Sequence, residues 1–449
     1  MPSARRSSTS PTDSATSVVA LNACRRVALT LDRLVNAERC RNYSIIFIAL
    51  GYGLVVASTF MGHLPRTAFG TTVLPDYLAH WTGGRLMLDG QLADLYDQRT
   101  QFGVQVAAVG HTSKLAWFVS PPFVGLVYAP LAALPYVASA AVWTLISIAM
   151  LLAALKLARP LAPNIPEARW RMIVLVCFAS QPVLELLGAG QDSAFSLLVW
   201  VAGTRLILAR REVLAGVVFA LGLCKPQLFV LVPVVLLAQR RYRSFAAWSS
   251  TAFALALISV KMVGVDGVRN WLALPFQDTY REAVQVGQAW KMQGLPSFVT
   301  ALMPPDLVQI GEVAGYLAAG VVLILFLTEC RRWPASRSDA GLWAFAALTT
   351  VLLSPHLVVY DLVLLLPAVL YLLERQDTPT VRVALFFLFV ITWMAPVGHL
   401  LGRATPWPIS VVGAGWGAVP IFILWRVFLR SHRWSRDRPA FQAEAGAAP

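Results

Sequence analysis

The stretch that decides the fold is YVASAAVWTLISIAMLLAALKLA, residues 136–158, which carries a single charge, Lys156, near its end. About 20 consecutive apolar residues are what an α-helix needs to cross a bilayer, and this run meets that length with no other charge to interrupt it. Working outward, comparable apolar segments cover 44–61, 118–134, 171–189, 193–209, 212–224, 227–239, 244–264, 308–328, 340–354, 357–374, 382–400 and 409–430. Over all 449 residues, 57% are hydrophobic and 13% charged, and the mean hydropathy is +0.63. Soluble domains carry about 25% charged residues, so a soluble enzyme, a disordered chain and a secreted disulfide scaffold are excluded. The sequence predicts an all-α polytopic membrane protein.

The net charge of +14 would suggest nucleic acid in a soluble chain, but the positive-inside bias of membrane proteins explains it, and no nucleic-acid partner is expected. Basic clusters at 156–171, 205–211, 240–243, 331–337, 375–382 and 426–438 alternate with the apolar segments. Placing them and the Arg-rich amino tail in the cytoplasm fixes the orientation, with both termini inside. The count from the first outer loop to Arg159 demands an odd number of crossings, so 118–134, opened by Pro121-Pro122, reads as a shallow or re-entrant helix. About 12 transmembrane helices follow, within a range of 11–13. The organisation expected is a cytoplasmic tail over 1–43, a membrane domain over 44–430 and a cytoplasmic tail over 431–449. Two long outer loops, 61–115 and 265–305, interrupt the membrane domain, and the first should carry interfacial helices. The five cysteines form no CxxC pair, which supports neither a disulfide framework nor a zinc site.

The outer face holds the informative residues. In Pro75-Asp76-Tyr77-Leu78-Ala79-His80-Trp81-Thr82-Gly83-Gly84-Arg85, proline suits a helix start and an acid beside it gains from the helix dipole. At 100° per residue Asp76, His80 and Gly83/Gly84 share one face, leaving a side-chain-free patch for a substrate, while Tyr77 and Trp81 line another, a face suited to the interface. Asp76 could equally be a helix cap. Lys225, between Cys224 and Pro226, is either functional or snorkels to the headgroups. His356 follows Ser354-Pro355, with Asp361 five residues on, as a functional or a structural pair. Gln191-Asp192 closes a Gly190 turn, Glu185 one turn earlier suits pairing with a neighbouring helix, and Lys291 and Arg281 suit either a site or a solvated loop. No Walker, HExxH, GxSxG or Asp-x-Asp pattern occurs, so neither a metal site nor a metal-bound nucleotide-sugar site is indicated. A donor delivered through the membrane on a lipid carrier fits the geometry.

The string Asp76-Tyr-Leu-Ala-His-Trp, Gly83-Gly84-Arg85-Leu, Asp89-Gly90 and Leu95-Tyr96-Asp97 resembles the first-loop signature of glycosyltransferase family 87, polyprenyl-phosphate-sugar-dependent enzymes of the GT-C superfamily. Ser120-Pro121-Pro122-Phe123, Gly190-Gln191-Asp192-Ser193, Lys225-Pro226-Gln227 and Ser354-Pro355-His356 with Tyr360-Asp361 follow in the same order. The resemblance covers roughly residues 44–375. It implies a GT-C-like fold and a mannosyltransferase-like or arabinofuranosyltransferase-like enzyme, working on the periplasmic face of a bacterial inner membrane. Its partners would be a polyprenyl monophosphate sugar, a glycan or glycolipid acceptor and membrane lipids. A monomer is expected, no cofactor is assigned, and participation of a divalent ion stays open because the scattered outer acids form no recognisable ligand set. The resemblance further implies an inverting mechanism with Asp76 as general base. The candidate donor-phosphate or substrate-binding residues are Lys225, His356, His80, Arg85, Gln191, Asp192, Lys291 and Asp361, the cations stabilising the leaving phosphate. The competing readings are a flippase for a lipid-linked sugar, which would usually show paired repeats, and a non-catalytic scaffold.

Overall fold

The computed structural model describes residues 29–30, 32–33, 36–112, 114–286, 291–333 and 339–434. The two expected tails, 1–43 and 431–449, fall largely outside these residues, as does Trp290 of the second loop. The described chain is helical, without a named strand; the paired extended contacts are isolated bridges, Arg66 with Thr72 and Met292 with Val358.

Helix α1 spans Ala37–Phe60. The first loop folds into α2, Tyr77–Leu88, and α3, Gln98–Val109. A short α4, Pro122–Ala132, precedes the long α5, Tyr136–Ala158. Next come α6, Glu167–Ala179, and α7, Gln181–Ala189, bent by 52° where Pro182 follows shortly after Ser180. They lead to α8, Ser193–Leu208, α9, Glu212–Leu221, and α10, Leu231–Ala238. Helix α11, Tyr242–Ala273, is interrupted at Gly264, whose φ of 72° lies in the left-handed region. The rest are α12, Leu295–Ala301, α13, Val308–Arg331, α14, Asp339–Leu353, α15, Leu366–Arg375, α16, Pro379–Ala404, and α17, Ala418–Trp434.

Five of these helices are long and apolar enough to cross a membrane, six if the bent α6–α7 pair is one span, against the twelve crossings expected. The difference lies in short helices. Helices α8, α9 and α14, with 16, 10 and 15 residues, reach only about 15–24 Å at 1.5 Å per residue, less than a ~30 Å hydrocarbon core. They build three hairpins with non-helical tips: α6–α7 and α8 around 190–192, α9 and α10 around Lys225, and α14 and α15 around 354–358. Each break has a local cause. Gly190 takes φ of 77°, Lys225 precedes Pro226, whose ring disfavours the helical region before it, and Pro355 ends α14. At membrane depth such backbone must be buried in protein or line a cavity.

At their other ends the hairpins are tied together. Arg241 pairs with Glu212 at the start of α9, and with Asp339 at the start of α14 across 2.6 Å. The turns leading into α9 and α11 repeat one design. Arg211 N–H donates to Leu206 O at 2.9 Å and Arg241 N–H to Leu236 O at 2.8 Å, the long closing bond of a Schellman cap.

Two expectations about the first loop are corrected. Helix α2 does not lie with an exposed aromatic face in the interface; nine of its residues, Tyr77 and Trp81 among them, are buried. The Trp81 indole donates to Leu134 O at 3.2 Å, and Tyr77 stacks on Trp143 with centroids 5.5 Å apart. Nor is the Gly83-Gly84 face open to a substrate. A Cβ on Gly83 would meet the Phe118 ring at 2.5 Å, and one on Gly84 the Tyr128 carbonyl carbon at 2.7 Å. These glycines let α4 and the segment before it close against α2. Beyond the Gly264 kink α11 continues as a helix to Ala273, so the first residues of the expected second loop, 265–305, are helical.

Candidate active site

The three hairpin tips and the start of α2 converge on one polar cluster. Asp76 occupies the N-cap position of α2 yet makes no side-chain capping bond. Its backbone N–H donates to Ala189 O at 3.0 Å, which docks the first loop onto the end of α7. The half-buried Asp76 carboxylate accepts from Gln191 Nε2 at 2.8 Å through Oδ2. The helix-cap alternative therefore does not describe this side chain.

Gly190 makes that approach possible. A Cβ there would meet Tyr77 Cβ at 2.6 Å and Leu74 Cδ2 at 2.7 Å, and its φ is left-handed. Its carbonyl accepts from the Trp143 indole at 2.8 Å. The tip is thus held between α2 and α5, and Gln191, Asp192 and Ser193 project from it.

Lys225 stands at the centre. Its Nζ lies 2.7 Å from Asp192 Oδ1 and 3.0 Å from Asp361 Oδ1. It donates to Ser193 Oγ at 3.0 Å and to Gln191 Oε1 at 3.4 Å, and sits 5.0 Å from the centroid of the Tyr360 ring. Ser193 Oγ in turn donates to Asp361 Oδ1 at 2.6 Å. Side-chain exposures of 12% for Lys225, 4% for Asp192 and 2% for Asp361 put the whole triad out of bulk water. The snorkelling alternative is thereby replaced by a buried, doubly paired ammonium.

The remaining candidates divide by position. His80, one turn after Asp76, is buried and stacked on Tyr128 with centroids 4.6 Å apart, and its Nδ1 has no hydrogen-bond partner among the described residues. His356 is half-buried on the third tip, and no ion pair or hydrogen bond joins it to Asp361 among the described residues; that carboxylate is engaged by Lys225 and Ser193. Residues 291–294 run beside 354–358, Gln293 N–H donating to Leu357 O at 2.8 Å, so Lys291 and His356 lie on adjoining segments. Lys291 pairs with Glu185 of α7 at 3.4 Å, which places the expected helix partner of Glu185 on the second loop. Arg281 stands apart from the cluster and pairs with Glu312 at the surface, at 3.3 Å. Arg85 lies at the far end of α2, partly exposed and paired with Asp89 at 2.8 Å, also outside the cluster.

Sequence reasoning does not single out Ser193 or Tyr360, though both flank residues that it does. The signal lies in their placement: each sits next to a buried acid at a helix break, where the side chains of one tip meet those of another. Among the described residues no group of three or more His, Cys, Asp or Glu side chains is arranged to hold a metal ion; the two deepest carboxylates both face the Lys225 ammonium.

The model of glycosyltransferase family 87 matches residues 118–355, just over half of the chain. The chain belongs to glycosyltransferase family 87, and it is accordingly a membrane glycosyltransferase, moving a sugar from a donor to an acceptor. The matched stretch contains the tips at 190–193 and 225–227 and ends at Pro355, while Asp76 precedes it. No curated protein and no solved structure matches the chain.

Proposed function

We propose that this glycosyltransferase takes a mannose or a pentose such as arabinose from a polyprenyl monophosphate and passes it, with inversion, to a glycan or glycolipid at the periplasmic face of a bacterial inner membrane. The observation that carries this reading is the Asp76 carboxylate. It is half-buried, released from helix capping, and anchored through one oxygen by Gln191 at 2.8 Å.

The chemistry is a direct displacement. The acceptor hydroxyl oxygen bonds to the anomeric carbon while the bond from that carbon to the phosphate oxygen breaks. The electron pair leaves with the polyprenyl phosphate, and the hydroxyl proton passes to Asp76. The leaving phosphate gains negative charge, which preorganised donors stabilise. Formal charges on Lys225, Asp192 and Asp361 sum to −1, so the Lys225 ammonium is already neutralised. We therefore assign the phosphate to the ledge led by His356, which pairs with no acid among the described residues, with Lys291 beside it although held to Glu185 at 3.4 Å, and give Lys225 a part in holding the tips together. Short hairpins at membrane depth suit a donor whose tail stays in lipid while its head group enters a polar recess.

The test is to incubate the purified full-length protein with polyprenyl-phosphoryl mannose and polyprenyl-phosphoryl arabinofuranose, together with a membrane glycolipid extract. Release of polyprenyl phosphate coupled to a longer glycan is expected. Movement of intact donor across a vesicle bilayer without its cleavage would favour the flippase reading instead.

A further inference from the structure

We infer that Gln191 is a positioning residue, holding the Asp76 carboxylate in the orientation that receives the acceptor's proton while the Lys225 ammonium holds Gln191. This rests on the reading of Asp76 as the general base.

Both polar ends of the Gln191 amide are engaged, and in opposite senses. Nε2 donates to Asp76 Oδ2 at 2.8 Å, and Oε1 accepts from Lys225 Nζ at 3.4 Å. Rotating the amide by half a turn would set its oxygen against the carboxylate and its nitrogen against the ammonium, so the charges on either side select one orientation. The backbone is fixed as well: Gln191 N–H donates to Leu186 O at 2.9 Å behind the left-handed Gly190. Gln191 is 9% exposed. With one amide N–H committed to Asp76, its oxygen committed to Lys225 and little surface open, Gln191 has its fixed contacts on the protein side, and at most its second N–H is left for a sugar hydroxyl.

The consequence for Asp76 is an asymmetric carboxylate. Oδ2 is held by Gln191, while Oδ1 has no hydrogen-bond partner among the described residues and remains to take the proton. A carboxylate on a two-bond side chain would otherwise sample several rotamers, and a misplacement of about 1 Å can cost on the order of 100-fold in rate. The relay also has a defined far end, because Lys225 is itself pinned by Asp192, Asp361 and Ser193. Three hairpin tips thereby act on the orientation of one acid in the first loop.

The test uses the full-length protein and whichever of the two polyprenyl-phosphate sugars the wild type turns over. Gln191→Glu keeps the shape and an acceptor for Lys225 but removes the donor facing Asp76; Gln191→Met keeps the volume alone. Both should lower kcat by about 10- to 100-fold and leave the donor KM within about twofold. A raised KM with unchanged kcat would make Gln191 a substrate ligand and overturn the inference, as would full kcat in Gln191→Glu. Asp76→Asn run in parallel separates the two readings: full turnover there removes Asp76 as the base, and the positioning role with it. A readout independent of turnover is the cryo-EM structure of the Gln191→Met protein in nanodiscs. The Asp76 carboxylate should leave its wild-type position while Lys225 keeps Asp192 and Asp361; an unmoved Asp76 overturns the inference.

Discussion

Lys225 and Asp361 stand 3.0 Å apart in a buried setting although 136 residues separate them in the chain. Asp192 closes the same ammonium from the other side at 2.7 Å. A buried charge stripped of its partner is costly, about 3–5 kcal/mol in soluble proteins, because the remaining charge cannot reach water. Lys225→Met should therefore lower thermal stability sharply, leaving two buried carboxylates facing each other. Adding Asp361→Asn should recover part of that loss, a coupling that a double-mutant cycle followed by thermal unfolding in detergent would read. An unchanged melting temperature in Lys225→Met, with only the donor KM raised, would return Lys225 to the phosphate site.

Asp76→Asn is expected to abolish transfer while leaving the folded protein intact. The carboxylate makes no capping bond for α2, and the amide that replaces it can still accept from Gln191, so little structure depends on the charge. General-base catalysis contributes roughly 100- to 10,000-fold, which sets the minimum loss of kcat. The check is donor turnover beside a thermal unfolding curve on the same preparation.

Gly190→Ala should be clearly destabilising, because strain and crowding act together there. An L-residue in the left-handed region costs roughly 1–2 kcal/mol, and the new Cβ would also press on Tyr77 Cβ at 2.6 Å and Leu74 Cδ2 at 2.7 Å. Overpacking of this kind adds about 1–3 kcal/mol. Gly188→Ala is the control two residues away, since its Cβ would meet only Val55 Cγ2 at 3.8 Å; it should be neutral or mildly stabilising. Equal melting temperatures for the two variants would mean that tip 190–192 is not held as described.

The contrast between Gly190 and Gly188 also shows what can be read before folding is known. Helical content, the apolar runs and the breaks at Gly190, Lys225-Pro226 and Pro355 follow from local chemistry. The depth of the tips does not follow: the shortness of a run such as the 15 residues of α14 can be read from the sequence against a ~30 Å core, but which neighbours cover its end cannot. Periodicity places Asp76, His80 and Gly83 on one face of α2 but not the neighbours that fill it; Phe118 and Tyr128 come from a segment distant in the chain. The Lys225–Asp192–Asp361 triad joins three hairpins, so its pairing becomes visible only with the fold. Charge alone suggests Lys225 as a phosphate ligand; its two buried acid partners are what favour the structural part proposed for it.

With the phosphate on the His356 and Lys291 ledge, a graded pattern is expected. His356→Ala should raise the donor KM several-fold with a smaller effect on stability, since the side chain is half-buried on a tip. Arg85→Ala should leave the donor KM unchanged: Arg85 is partly exposed and paired with Asp89 one helical turn away, and exposed pairs contribute roughly 0.2–1 kcal/mol at most. Titrating donor against each variant separates the two, and an Arg85→Ala defect larger than that of His356→Ala would move the phosphate to the other end of α2.

Asp97 offers a prediction on pH. It is the N-cap of α3, its Oδ1 accepting from Thr100 N–H and Thr100 Oγ at 2.8 Å each. The backbone hydrogen bond from Thr100, followed by the one from its hydroxyl, holds the Asp97 carboxyl below the ordinary carboxylate value. A folded pKa below the unfolded one means that the cap's full contribution is present above the unfolded value, about 3.9, and is lost as pH falls through the folded value. Substitution of a capping Asp by Ala costs about 1 kcal/mol. Asp97→Ala should therefore lower stability at neutral pH, and the gap between wild type and variant should narrow only in strongly acidic solution, below about pH 4. Thermal unfolding of both proteins between neutral and acidic pH measures this directly. A gap that closes already between about pH 7 and 5 would assign the difference to another group, because a carboxylate held below its ordinary value stays ionised throughout that interval.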